Sequence, residues 1–136
     1  MADLTITATS VVPGTGASII AGILGETVTA GQALYLKATD GRLWKSQSDG
    51  TVAEATCVGV ALNGGGAGQT VGYVANGTMT IGATTVKTTT YVVSALAGGI
   101  CPQADLVGTN NICVVGWATD VAGTFIVRPF LTGAVV

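Results

Sequence analysis

The stretch from Gly31 to Ser46, GQALYLKATDGRLWKS, decides the fold class. Leu34 to Thr39 alternate between aliphatic residues and polar or aromatic ones, which is the two-residue period of a half-buried β-strand. Asp40-Gly41 then supplies residues that tolerate the positive backbone dihedrals of a tight turn. Arg42 to Lys45 returns along the first strand, so the stretch predicts a β-hairpin.

The rest of the chain has the same character: short runs of Val, Ile, Thr and Tyr separated by turns that contain glycine, with little helical periodicity. An all-β fold is therefore predicted. Asn76-Gly77 is interpreted as a hairpin turn, and Pro129 indicates an edge position or a bulge because it lacks an amide donor. Further strands are predicted at Leu4 to Ser10, Thr56 to Leu62, Thr70 to Ala75, Thr78 to Ile81, Tyr91 to Ala95, Ile112 to Ala118 and Thr124 to Leu131.

An internal repeat appears when the sequence is shifted by 57 residues. CVGVA at 57–61 then lies over VVGWA at 114–118, and smaller shifts carry Gly77 onto Gly133. Chance similarity in a chain rich in Gly, Thr and Ala is the alternative, but hairpin, turn and VGxA strand recur in the same order. Identical pairs are Gly25 and Gly82, Thr27 and Thr84, Ala38 and Ala95, Gly41 and Gly98, Val58 and Val115, Gly59 and Gly116, and Ala61 and Ala118.

The repeat predicts two similar β units that share one core, because a single unit is too small to bury its own apolar face. We expect a β-barrel or β-sandwich in one domain, 25–136, with pseudo-repeats at 25–77 and 78–133. Residues 1–24 precede it as an extended arm or first strand. The arm either joins the chain's own sheet or pairs with a neighbouring subunit by strand addition.

Composition and charge exclude several classes of partner. Only 9% of the 136 residues are charged and the net charge is −2, with no cluster of Lys and Arg, so nucleic acid and anionic membranes are not expected to bind. The most apolar run, Ala17 to Gly25, is too short to span a bilayer, and the first ten residues have no basic residue of a signal peptide. Synthesis as a soluble protein in the cytoplasm is expected, with the three cysteines as buried thiols.

Residues suited to catalysis are sparse. The chain has no histidine, its cysteines form no CxxC pair, and Asp40, Asp49, Glu54, Asp105 and Asp120 all fall in predicted turns or loops. The glycine cluster at 64–68 lacks the Lys-Ser/Thr of a phosphate loop. No enzyme activity, cofactor or metal is therefore expected. Trp44 and Trp117 leave open a carbohydrate-binding module that stacks sugars on aromatic rings.

Several segments together carry a resemblance to a protein family: MADLTITA at 1–8, VTAGQALYL at 28–36, VGVALNGGGAGQTVGYV at 58–74, TIGATT at 80–85 and YVVSALAGGICP at 91–102. They resemble the small Gly/Thr/Ala-rich virion proteins that decorate or cement the capsids of tailed bacteriophages. The resemblance implies a β-rich protein, often trimeric, that binds the exterior of the shell at junctions of the major capsid protein and stabilises it. A tail or fibre protein with a structural or host-binding role is the alternative.

This interpretation predicts that the arm and the second hairpin contact the capsid or another subunit. Seven of the twelve charged side chains lie between Glu26 and Glu54, and the 57-residue shift places none of them over a charged residue. The tip at Asp40-Gly41 is therefore expected to face solvent, and Leu96 to Pro102 to be buried in the fold or at a subunit contact. The predicted interface residues are Leu4, Ile6, Val11, Val12, Leu96 and Ile100.

Overall fold

A computed structural model describes residues 3–106, 108, 110–119 and 123–135. One curled antiparallel sheet forms a half-barrel, which confirms the all-β prediction. One short helix, α1 (Val52–Ala55), and 3-10 turns at Ala8–Ser10 and Gln103–Asp105 accompany it. The strands are β1 (Val12–Pro13), β2 (Ser18–Ile23), β3 (Ala33–Lys37), β4 (Arg42–Lys45), β5 (Gly59–Ala61), β6 (Thr70–Thr80), β7 (Thr90–Val93), β8 (Ile100–Pro102), β9 (Asn111–Ala118) and β10 (Thr124–Val135).

The opening stretch forms the predicted hairpin, with Lys37 of β3 opposite Arg42 of β4 and with Gly41 at a φ of +67°. Its charges are organised around one aromatic ring. The Asp40 carboxylate accepts hydrogen bonds from the Arg42 amide at 2.9 Å and from Trp44 Nε1 at 3.1 Å. Lys37 Nζ lies 4.4 Å from the centroid of the Trp44 ring. The charge concentrated here therefore holds and covers a tryptophan on the surface of the hairpin.

Two strand predictions are wrong. Leu4 to Ser10 forms no strand but ends in a 3-10 turn, although the Leu4 amide donates to the Ile100 carbonyl oxygen at 2.8 Å. Asn76-Gly77 is not a hairpin turn, because β6 runs through it without reversing. Gly77 has a φ of +111°, and a Cβ there would lie 2.9 Å from Ala17 Cα. The glycine therefore permits a close approach between β6 and the arm rather than a chain reversal.

The bulge predicted at Pro129 is confirmed, since the pairing of β10 with β9 shifts register between Val127 and Phe130. A bulge places proline in a strand without breaking a regular ladder hydrogen bond.

The strand order shows two similar β units. Along the sheet the order is β4-β3-β5-β6-β10-β9-β7-β8, so reading inwards from either end gives outer hairpin strand, inner hairpin strand, VGxA strand and return strand. The pairing register also repeats: Leu34 opposite Lys45 becomes Tyr91 opposite Pro102 after a shift of 57. Likewise Leu34 opposite Gly59 becomes Tyr91 opposite Gly116.

The return strands follow a different shift. Ala61 opposite Tyr73 corresponds to Ala118 opposite Phe125, which moves the return strand by 52 residues. The match of Gly77 with Gly133 expected from the sequence is therefore wrong, because the loop before β10 is five residues shorter than the loop before β6.

The arm also contains the first strand of unit one. β2 pairs antiparallel with the first half of β6, and the second half of β6, 77–80, pairs antiparallel with β10 in a similar position. Residues 18–23 therefore belong to the sheet, although the sequence placed them in the segment that precedes the two pseudo-repeats.

Three clusters of buried side chains fill the fold. A shared core joins both units and includes Val60, Val74, Tyr91, Val115 and Phe125. Unit one has a cluster of its own around Leu24, Leu34 and Leu43, and unit two has a smaller one around Val92, Cys101 and Val114. The shared core is the larger, as expected for units that cannot fold separately.

Candidate assembly surface

Ten large hydrophobic side chains are exposed on the described chain, and four of them lie on β1 and β2 within the first 23 residues. Large exposed apolar patches on a soluble protein mark contact sites for other molecules. The surface formed by Val12, Ile19, Ile20 and Ile23 is hereafter the arm strip. The ten residues are Val12, Ile19, Ile20, Ile23, Leu36, Val52, Val86, Leu96, Phe130 and Val135.

The arm strip lacks the usual protection of an edge strand. Proteins protect exposed edges with charged residues, proline or bulges that prevent pairing with another chain. β2 has the sequence SIIAGI, in which every residue except half-buried Gly22 is exposed. The segment from Leu4 to Gly25 contains no charged residue. This surface is consequently suited to contact with another β edge or an apolar surface.

The structure separates the six predicted interface residues into two groups. Ile100 is fully buried, Val11 is buried, and Leu4 and Ile6 pack partly buried against the shared core. Val12 is 52% exposed and Leu96 is 66% exposed. Only the last two present most of their side chains to a partner in this conformation.

Leu4, Ile6 and Ile100 nevertheless meet at one place, where they line a shallow cavity of about 210 Å³ together with Gly31 and Gly98. Asp3 anchors the arm beside this cavity, since its carboxylate accepts a hydrogen bond from Ser94 Oγ at 2.6 Å. The first residues of the arm thus lie on the chain's own second hairpin.

Sequence reasoning did not select Ile19, Ile20 and Ile23 as interface residues. The signal was present, because they form the most apolar run of the chain. A run of this kind reads equally as a buried strand, and only the pairing of β2 with β6 shows that both of its faces are open.

The two hairpin tips differ, as the charge pattern suggested. Asp40 and Gly41 are exposed. In the second hairpin Ile100 and Cys101 are fully buried, but Leu96 at the tip is not buried in the fold. A subunit contact at Leu96 stays a prediction.

The two tryptophans lie in different parts of the sheet, each of them half-buried. Trp44 is covered by Lys37, and a Cβ on Gly25 would lie 2.3 Å from its ring nitrogen, so this ring is packed on its own hairpin and the neighbouring segment. Trp117 stands in β9 opposite Thr90 and Ile126. They do not form the joint sugar-stacking platform that the sequence left open.

The three cysteines are buried free thiols. Burial raises the pKa of the Cys57 thiol from its ordinary 9.0 to about 12, with a smaller contribution from Cys113, and burial also raises the pKa of Cys101 to about 12. Thiols of this kind are poor nucleophiles because the reactive form is the thiolate.

These shifts predict a loss of stability in alkali. Above pH 9 the unfolded chain ionises its cysteines whereas the folded chain keeps them protonated until about pH 12. The free energy of unfolding should therefore fall by up to about 1.4 kcal/mol per pH unit and thiol in that window. Urea unfolding at pH 8 and pH 10 measures it. A Cys57→Ala variant should lose less stability than the wild type over the same interval, and an equal loss would contradict this assignment.

Other kinds of site were sought in the part of the chain that the structure describes. No helix there is long and apolar enough to cross a membrane, and no group of three or more His, Cys, Asp or Glu side chains is placed to hold a metal ion. No protein-family model and no curated protein sequence matches this chain.

Proposed function

We propose that this chain is a structural virion protein that binds the outer surface of a bacteriophage capsid, as a homo-oligomer on the major capsid protein, and stabilises the shell. The observation that carries the proposal is the uncharged apolar surface on a β body with two hairpins, above all the arm strip and Leu96. Such a surface gives affinity through buried area and backbone pairing, and does not depend on charge.

The two exposed hairpin tips supply a matched test on capsids that lack this protein. Leu96→Asp places a carboxylate in the predicted contact, where its desolvation is costly. We expect its occupancy to fall at least about tenfold. Arg42→Ala, at the solvent-facing tip of the other hairpin, should bind like the wild type. Occupancy is measured by gel densitometry of repurified capsids, and circular dichroism checks that both variants are folded.

Salt provides a second readout of the same test. Because few charges are available for screening, occupancy should change little between low and high salt. Unchanged binding of Leu96→Asp, or a loss of binding by Arg42→Ala as large as that of Leu96→Asp, would count against this contact surface.

A further inference from the structure

The backbone of β2 has one edge on β6 and a second edge that faces outwards. Leu24, just after β2, donates from its amide to the Gln69 carbonyl oxygen at 2.8 Å and accepts from the Gly68 amide at 2.8 Å. Since antiparallel strands alternate the direction of their hydrogen-bonding groups, Ile20 also turns towards β6. Ala21 turns away.

Ile19 and Ala21 therefore present their amide and carbonyl groups at the outer edge. No strand of the described ranges pairs with this edge between Ser18 and Gly22. Beyond it β4 closes the edge, because Leu24 and Leu43 form a parallel bridge.

The equivalent edge in unit two is covered. There the second half of β6 takes the place of β2, and β1 lies along its outer side with Val12 opposite Thr80. The Gly14 amide donates to the Thr78 carbonyl oxygen at 2.8 Å, and the Thr7 amide to that of Gly82 at 2.8 Å. An uncharged extended segment thus covers this edge in unit two, and the same edge stands open in unit one.

We propose that the outer edge of β2 pairs antiparallel with the same edge of a second copy of this chain. With the twofold axis at Ile20, Ile19 of one chain lies opposite the partner's Ala21, and the reverse pair forms at the same time. All the outward hydrogen-bonding groups of both strands are then satisfied, as an isologous contact requires. A second copy fits because β2 is itself an uncharged extended segment of the kind that covers the equivalent edge, and it brings no like charge.

The contact deepens the proposed assembly role and rests on it for its biological purpose, although it can be measured without capsids. It would cover much of Ile19 and Ile20, which are 53% and 47% exposed in one chain. A twofold contact at this edge cannot close a three-membered ring, so it is distinct from the trimer that the resemblance implies.

Cysteine cross-linking tests the register. In the proposed pairing Ile20 faces its own copy in a non-hydrogen-bonded pair, where the Cβ atoms are about 4.5–5.5 Å apart and a disulfide can form. Oxidised glutathione should convert two Ile20→Cys thiols into an intermolecular disulfide, itself being reduced to two thiols. Ile19→Cys, equally exposed, should not link to itself but should link to Ala21→Cys in a mixture. The native cysteines are at most 4% exposed and serve as an internal blank.

Proline at Ala21 tests the backbone contact. Ala21→Pro removes an outward amide and leaves the ladder with β6 intact. We expect the wild type to sediment as a dimer and Ala21→Pro to dissociate at least about tenfold more readily. Wild-type protein that is monomeric at its highest soluble concentration, or Ile19→Cys that links as fast as Ile20→Cys, overturns the contact. A monomer that still occupies capsids would overturn it and leave the proposed function standing, whereas a cross-linked dimer that never binds capsids would do the opposite.

Discussion

Gly116→Ala is expected to destabilise the fold by at least about 3 kcal/mol, at the upper end of what overpacking costs in protein cores. Gly116 belongs to the VGxA strand of unit two. A Cβ there would overlap the Ile126 carbonyl oxygen and lie 2.7 Å from the ring of Phe125. Neither group can move, because one is backbone of the paired strand and the other is fully buried. Urea unfolding followed by circular dichroism measures the effect.

Two further glycines make this test specific. Gly59 holds the equivalent place in unit one, where a Cβ would overlap the Val74 carbonyl oxygen, so Gly59→Ala should be similarly damaging. Gly72→Ala is the control, because its Cβ would lie 3.6 Å from Asn63 Oδ1, in ordinary van der Waals contact. It should change stability by less than about 0.5 kcal/mol. Equal effects at Gly116 and Gly72 would contradict the packing described.

Phe125→Ala is expected to cost about 3–5 kcal/mol, the range for removing a buried phenylalanine. Phe125 is fully buried in the shared core, with its ring centroid 5.7 Å from that of Tyr91 at a tilt of 54°. Because these rings join the return strand to the hairpin of unit two, their loss opens the core that both units need. The same denaturation experiment reports the change in the free energy of unfolding.

Phe130→Ala is the matched control in the same strand. Phe130 is 51% exposed, so its truncation should cost about 1 kcal/mol or less. If the two phenylalanines of β10 prove equally important to stability, the assignment of the shared core is wrong.

The all-β class, the two hairpins and the doubled unit could be predicted from the sequence because each has a local signal. Alternation and Asp40-Gly41 define the first hairpin, and the 57-residue shift carries even its pairing register onto the second. Register follows from alternation because a slip by one residue would exchange the buried and the exposed faces.

The failures have a common cause. Asn76-Gly77 has the composition of a hairpin turn, yet β6 passes through it because the arm lies along one side of the strand and β10 along the other. Leu4 to Ser10 alternates like a strand but finds no regular partner. Alternation states which side chains can share a face, whereas pairing depends on segments distant along the chain.

For the candidate surface, the sequence determined that any contact would be uncharged and apolar and would involve the arm. Only the tertiary structure decided which residues carry it, burying Ile100 and Val11 and leaving Leu96 and the arm strip exposed. The repeat predicts two similar edges, but the single arm lies along only one of them, in unit two. Composition and spacing repeat along a chain, whereas the coverage of an edge depends on where one segment packs in three dimensions.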